Sequence, residues 1–408
     1  MALNTDRPFY SIRAIPEGKA AKAIDLTERV LTFKFLDEER KADKLTLTLD
    51  NWDLSVFDDP TFKKGTILEF VWGYPGRVAP ARRAVIQRIK GGRQVTIEAH
   101  GLAMLMHKVK KTRTFSGMTL EQIAAKILSE YTELAPLQRS GQIKVEGDSN
   151  TAHEHRVQAA ETDATFLTRL ARRHGLEFYI DSTGMHFKPR NFTQGYVKEL
   201  VWFNGSGEFL DFDIDNNLAK RPGAVTKRAL DPLSKKTIEH RADNDSSKRP
   251  GLAPVIEMVD PRTGKRTLQA RVAEEHTEHT SETTASGVRS HADAKFRQTQ
   301  HETIHMSIKL VGDPDVAAKR VLKVSGVGKR MSGLYYVTQA EHDITNAGYI
   351  VTAKAKTDGH GGYGQHNISS KAAHSKGNEA KQSEIEVVDP RTGGRHIEFR
   401  KKGEEHHE

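Results

Sequence analysis

The chain has 408 residues, and its 63 Lys+Arg against 54 Asp+Glu leave a net charge of +9, a mild basic bias over a length that suits about two to four domains. It contains no cysteine, which excludes disulfides, Cys-based zinc sites and a cysteine nucleophile. No apolar run approaches the ~20 residues of a membrane helix, and Met1–Arg7 lacks the apolar core of a signal peptide, so the expectation is a soluble protein made in the cytoplasm, with no stable membrane insertion.

Residues 1–107 read as all-β. Val30–Leu36 is a strand, Asp37–Asp43 a charged turn, and Leu45, Leu47 and Leu49 alternate with Thr46 and Thr48 in a half-buried partner. Ile67–Trp72, Arg83–Ile89 and Gln94–Ala99 are further strands separated by Gly or Pro. Five or six short antiparallel strands without a long helix predict a small barrel or sandwich.

Residues 108–197 read as a small α+β domain. A helix opens at Ser116, with Thr119 and Gln122 at capping-box spacing and Met118 with Ile123 as a hydrophobic staple. Leu120, Ile123, Ala124, Ile127, Leu128 and Tyr131 form one apolar stripe. A second helix starts after Thr162, a plausible N-cap, with Asp163 in its first turn where it suits the helix dipole. Phe166, Leu167, Leu170 and Ala171 share one face, and Thr168, Arg169, Arg172 and Arg173 the other. Gly175 stands where a helix end wants positive φ. The period then changes to two, and Leu176–Ile180 and Met185–Phe187 predict a hairpin across Asp181–Gly184.

The β pattern returns over 198–357. Val201–Phe203, Phe209–Ile214, Val225–Ala229 and Lys236–Glu239 come first, the last two flanking the turn signal Asp231-Pro232. A polar insertion at about 242–300 is too poor in large apolar residues to order itself alone and predicts a flexible loop or an arm ordered by a partner, closed by a short helix at about 291–300. Ile304–Leu310, Val321–Val324, Gly333–His342 and Tyr349–Ala353 are strands, the last two pairing across Asn346–Gly348. Residues 358–408 read as a linker and a C-terminal arm. Glu257–Arg266 and Glu386–Arg395 echo one another around Val-Asp-Pro-Arg-Thr-Gly, strand-into-turn chemistry that suits two small hairpins. Two unrelated Asp-Pro turns are the plainer reading.

No constellation demands catalysis. His301-Glu302-Thr303-Ile304-His305 fits a zinc-peptidase pattern, which needs a helix to bring both imidazoles together. The alternation of Ile304, Met306, Ile308 and Leu310 argues a strand instead, which sets the two histidines about 13 Å apart. His276 and His279, with Glu275, Glu278 and Glu282, read as a solvated charged loop. Phosphate-binding glycine loops, a serine nucleophile elbow and placed carboxylate pairs are all missing from the sequence. No catalytic, metal or cofactor residue is therefore assigned, and a zinc metallopeptidase through His301, Glu302 and His305 stays as the alternative of a different class. The basic blocks His107–Arg113, Arg169 and Arg172-Arg173 lack the interleaved aromatics of a nucleic-acid face. They read as solvated faces or contacts to an acidic partner.

Glu161–Ile180, ETDATFLTRLARRHGLEFYI, resembles a segment of the late control gene D proteins of contractile phage tails and of the hub part of type VI secretion spike proteins. The order of Val311–Pro314, Val321–Val327, Gly333–His342 and Gly348–Thr352 is similar to the second barrel of the same family. The resemblance implies a mainly β fold with an α+β insert, made of two tube-like antiparallel β-barrels. It implies a non-enzymatic baseplate hub, a homotrimer adapting a six-fold tail tube to a three-fold central spike and forming part of the ejection channel. The implied partners are the tube or tube-initiator protein, the spike, wedge proteins and the tape measure protein, with DNA only as passing cargo. A tailocin or another phage-derived injection system would use the same role. The Val-Asp-Pro echo is not part of the family pattern.

Overall fold

The computed structural model describes residues 7–15, 23–59, 62–131, 134, 143–145, 153–181, 184–190, 195–202, 207–216, 224–231, 234–243, 255–259, 266–270, 275–280, 282, 284–300, 304–328, 331–357, 382–388 and 395–401. Strict alternation decides most of it: Leu45, Leu47 and Leu49 are fully buried while Thr46 and Thr48 between them stay half-exposed.

The first part contains β1 (Phe9–Ile15), β2 (Val30–Glu38), β3 (Lys44–Asp50), β4 (Ile67–Tyr74), β5 (Arg82–Gly91) and β6 (Gln94–Gly101). An α+β insert follows: β7 (Lys110–Met118), α1 (Leu120–Leu128), β8 (His153–Thr162), α2 (Asp163–Arg173), β9 (Leu176–Asp181) and β10 (Gly184–Pro189). Next come β11 (Lys198–Val201) and β12 (Phe209–Asn216), then β13 (Ala224–Leu230), β14 (Thr237–Asp243), β15 (Glu275–His279) and α3 (Ala285–Gln300). β16 (Ile304–Val311), β17 (Val321–Ser325), β18 (Gly333–Thr345) and β19 (Gly348–Thr357) complete the second part.

The two parts repeat one topology. In the first, the sheet order is β2-β3-β6-β5-β4-β1, and in the second it is β12-β16-β19-β18-β17-β11. Each is the same permutation of six strands in chain order. The irregularities coincide as well. A bulge between Val30 and Thr32 on β2 matches one between Phe209 and Asp211 on β12. A bulge between Ile86 and Arg88 on β5 matches one between Val337 and Gln339 on β18. Bulges re-aim a strand and fix its register, so two coinciding bulges mean that the same curvature is built twice. One pairing differs: β1 runs antiparallel to β4, whereas β11 runs parallel to β17.

The mainly β fold with an α+β insert is present, and among the described residues the two expected tube-like barrels are not separate closed sheets. All these strands belong to one open 14-stranded sheet. The reason lies in unequal strand lengths. β17 covers only Gly333–Tyr336 of the longer β18, and β2 takes the uncovered remainder, Gln339–Ile344. One apolar core accordingly runs through both parts, with Phe33, Phe35, Phe70 and Trp72 beside Val337, Ala340, Ile344 and Val351. The insert has its own core, in which Phe115, Ile123, Ile127, Phe166, Leu167, Leu170 and Phe187 pack.

Other departures are local. Ser116 lies in β7, and α1 begins only after Thr119, whose Oγ1 accepts from Gln122 N (3.2 Å) while its own N–H donates to Gln122 Oε1 (2.9 Å). The basic run around Lys110–Arg113 opens a ribbon strand paired with β8. Part of the polar insertion is ordered within the chain: β13 pairs with β14 and β15, and α3, longer than expected, packs on them through Val225, Ala242, Ala292 and Phe296. Three small polar-lined strands plus a helix supply the burial that no single segment could. The echoed segments form hairpins, Val255–Val259 with Arg266–Ala270 and Gln382–Val388 with Arg395–Lys401, joined in parallel through their first strands. The linker expected before Gln382 lies outside the described residues, as does the loop of each hairpin.

Candidate functional site

The repeated sheet presents one apolar and one polar face, because residues two apart share a side. The polar face runs without interruption across both parts: Thr32 and Lys34 on β2, Thr46 and Thr48 on β3, Thr96 and Glu98 on β6, Glu341 and Asp343 on β18, Thr352 and Lys354 on β19, Ser307 and Lys309 on β16, and Asp211, Asp213 and Asp215 on β12. Most of these side chains are half-exposed or exposed. Mixed charges and hydroxyls of this kind make a wetted wall.

The seam between the parts is the β2–β18 ladder, with Leu36 opposite Glu341, Phe35 opposite His342 and Lys34 opposite Asp343. On the polar side Lys34 Nζ lies 2.7 Å from Glu341. On the core side the seam is sealed by buried charge. Lys319 Nζ donates to Asp37 Oδ1 (3.1 Å) and to the Glu38 carbonyl (3.0 Å), and Arg82 stands 3.5 Å from Asp37 Oδ2. Burial by itself would raise the Asp37 pKa, but Lys319 and Arg82 hold it below the ordinary carboxylate value. His342 is fully buried, and its Nδ1 is 2.7 Å from the Tyr349 hydroxyl. Burial drives its pKa down to about 4, so the ring is neutral.

Another cation crosses between the parts: Arg77 reaches Asp313 (2.9 Å) and Asp315, and Asp313 is also held from within the second part by Lys198 Nζ (2.7 Å). The insert is clamped by Arg190, which pairs with Glu39 of the first part (2.5 and 2.8 Å) and with Glu177 (3.1 Å). Within the insert Asp163 is fully buried and accepts from Lys111 (2.7 Å), Arg113 (2.7 Å), Tyr131 (2.6 Å) and Gln158 (2.9 Å). Sequence reasoning placed Asp163 only at a helix start. The dense basic spacing of Lys111 and Arg113 was the available signal, and only the β7–β8 pairing aims it at a carboxylate.

His301 and Glu302 lie outside the described residues. His305 lies on β16, a strand paired on both sides, as the alternation implied. Glu278 pairs with Lys227 and with Lys295 (3.3 Å), and Glu282 with Arg156 (3.4 Å) and His291 (3.5 Å). Glu278 is thus held by two cations and Glu282 by Arg156 of β8, while burial lowers the His291 pKa to about 4, leaving the ring beside Glu282 neutral. Among the described residues no group of three or more His, Asp or Glu is placed to hold a metal ion. A cleft lined by Arg169, Arg172, Arg173, Lys227 and Lys295 opens between α2 and α3. No helix of the described residues is long and apolar enough to cross a membrane.

The fold is shared with solved tail proteins. A tail protein from Neisseria meningitidis MC58 superposes with a TM-score of 0.60 at 16% identity, covering 86% of this chain and 97% of that one. The 43 kDa tail protein of prophage MuSo2 from Shewanella oneidensis gives 0.59 at 12%, covering 86% and 99%. A chain of the Francisella PdpA-VgrG complex gives 0.51 at 10%, covering 87% of this chain and 59% of that one. The resemblance carried by Glu161–Ile180 and by the last four strands therefore holds as a likeness of fold to phage-tail and spike-complex proteins. No curated protein matches the chain. A family model described as the Alg8 N-terminal domain matches residues 49–346.

Proposed function

We propose that this protein is a structural component of a contractile-tail baseplate: the trimeric hub that adapts a six-fold tube to a three-fold spike. The observation that carries this reading is the doubled unit, the same six-stranded topology with coinciding bulges in one chain. Three chains present six near-equivalent units, so a ring of three can mate with a six-fold ring on one side and a three-fold object on the other. Closed rings require complementary heterologous edges, and this sheet is open at both ends.

In this reading residues 1–107 and 198–357 are the tube-like domains, 108–197 the clamp on the outside, and 358–408 an arm. The polar face of the sheet lines the ejection channel, where mixed charge lets DNA or protein cargo pass without binding. The partners are the tube or tube-initiator protein, the spike, wedge proteins and the tape measure protein. The same role serves a virion, a tailocin or an injection system. The test is native mass and imaging of the purified full chain, alone and with the spike and tube proteins encoded beside it. A ring of three chains is expected. A monodisperse monomer that joins neither partner overturns the reading.

A further inference from the structure

The repeat has a consequence for how copies join, and it rests on the ring reading above. Inside the chain, β2 pairs with the half of β18 that β17 leaves uncovered. The equivalents of β2 and β18 are β12 and β5. β4 and the two residues before it cover Arg82–Ile86 of β5, and among the described residues no strand pairs with that edge of its second half, from the bulge to Gly91. β12 ends the sheet, paired on one side by β16 alone, and its Phe212 N–H donates to the adjacent Asp211 Oδ1 (2.9 Å). Among the described residues one seam is thus filled, and both halves of a second lie without a partner strand.

We infer that β12 of one copy pairs antiparallel with the second half of β5 of the next copy, in the register of the internal seam. The matched bulges fix that register. Gln339 corresponds to Arg88 and Glu341 to Lys90, while Leu36 corresponds to Asp215 and Lys34 to Asp213. Lys90 then faces Asp215, Ile89 faces Asn216 and Gly91 faces Ile214. The charges agree with this placement. Arg88, Lys90 and Arg93 are exposed on and beside the β5 edge, and Asp211, Asp213 and Asp215 are exposed on β12. These three aspartates form no ion pair among the described residues. The internal pair Lys34–Glu341 (2.7 Å) maps onto Asp213–Lys90, the same diagonal with its signs exchanged.

The exchange of sign also enforces the ring. β2 of one copy against β5 of another would set Lys34 against Lys90, and β12 against β18 would set Asp213 against Glu341. Both wrong seams place like charges together, a repulsion that selects partners. The right one alternates β2–β18 within a chain and β12–β5 between chains, which closes the ring with two kinds of seam.

The chain has no cysteine, so a Lys90→Cys/Asp215→Cys variant of the full protein reports this register alone. Mild oxidation is expected to give covalent dimers and closed trimers, while Thr96→Cys/Asp215→Cys gives none. Asp213→Lys is expected to raise the concentration for half-assembly by at least about ten-fold. Adding Lys90→Asp restores it, which separates a lost seam from a misfolded chain. Trimers that form no disulfide and ignore both charge reversals overturn this seam and leave the ring reading standing. A chain that stays monomeric in every variant and in the wild type overturns both.

Discussion

Replacing Lys319 by Met tests whether buried charge holds the two β units together. Asp37 is 1% exposed and Lys319 13% by side chain. The substitution removes the 3.1 Å contact to Asp37 and the donor to the Glu38 carbonyl, leaving Asp37 with Arg82 at 3.5 Å. Breaking a buried pair from one side costs about 3–5 kcal/mol, because the surviving charge stays desolvated. Arg82 retains part of the compensation, which places the expected loss near the lower bound, about 3 kcal/mol. The double variant Lys319→Met/Asp37→Leu removes both charges and should recover about 2 kcal/mol of that loss. Urea unfolding at neutral pH measures all three. The penalty of the single variant should also shrink as pH falls, since an unpaired Asp37 escapes by protonation. A loss below about 1 kcal/mol, or strict additivity in the double variant, would refute the idea that this pair seals the seam.

His342 supplies a second test. Its folded pKa of about 4 lies below the ordinary 6.5, so the neutral ring's contribution is complete above pH 6.5 and is lost as pH falls toward 4. The difference of about 2.5 units corresponds to about 3 kcal/mol, and the stability lost between pH 6.5 and 4 should be smaller in His342→Phe by that order. Gly312→Ala would set a Cβ 2.1 Å from the Tyr349 ring, which packs against His342, and should cost about 2 kcal/mol or more in thermal or urea unfolding. Metal analysis of purified protein should find no stoichiometric zinc, and Glu302→Gln should leave assembly unchanged. Stoichiometric zinc with hydrolysis lost in that variant would favour the peptidase alternative.

What the sequence determined by itself was local. Alternation in Leu45–Leu49 and Ile304–Leu310, the Thr119/Gln122 box, the Thr162 cap, and Gly175, whose φ is +71°, each act within a few residues, and each appears in the structure where the pattern places it. The capping box was legible although the start at Ser116 was not, because Ser116 and Gly117 are held by a strand partner about 40 residues away, a long-range pairing without local signature. The order of β15 and α3 within the insertion had no local signal for a related reason: each is too polar to order alone, and only against β13 and β14, whose strand pattern was legible, are Val225 and Phe296 buried. The doubled unit was reached only through the family resemblance, and the shared bulges and the Lys34/Glu341 pair across the seam were beyond sequence reading. The two units share no visible repeat, and what is duplicated is hydrogen-bond register. Register is set by which strand lies beside which, and tertiary structure alone decides that.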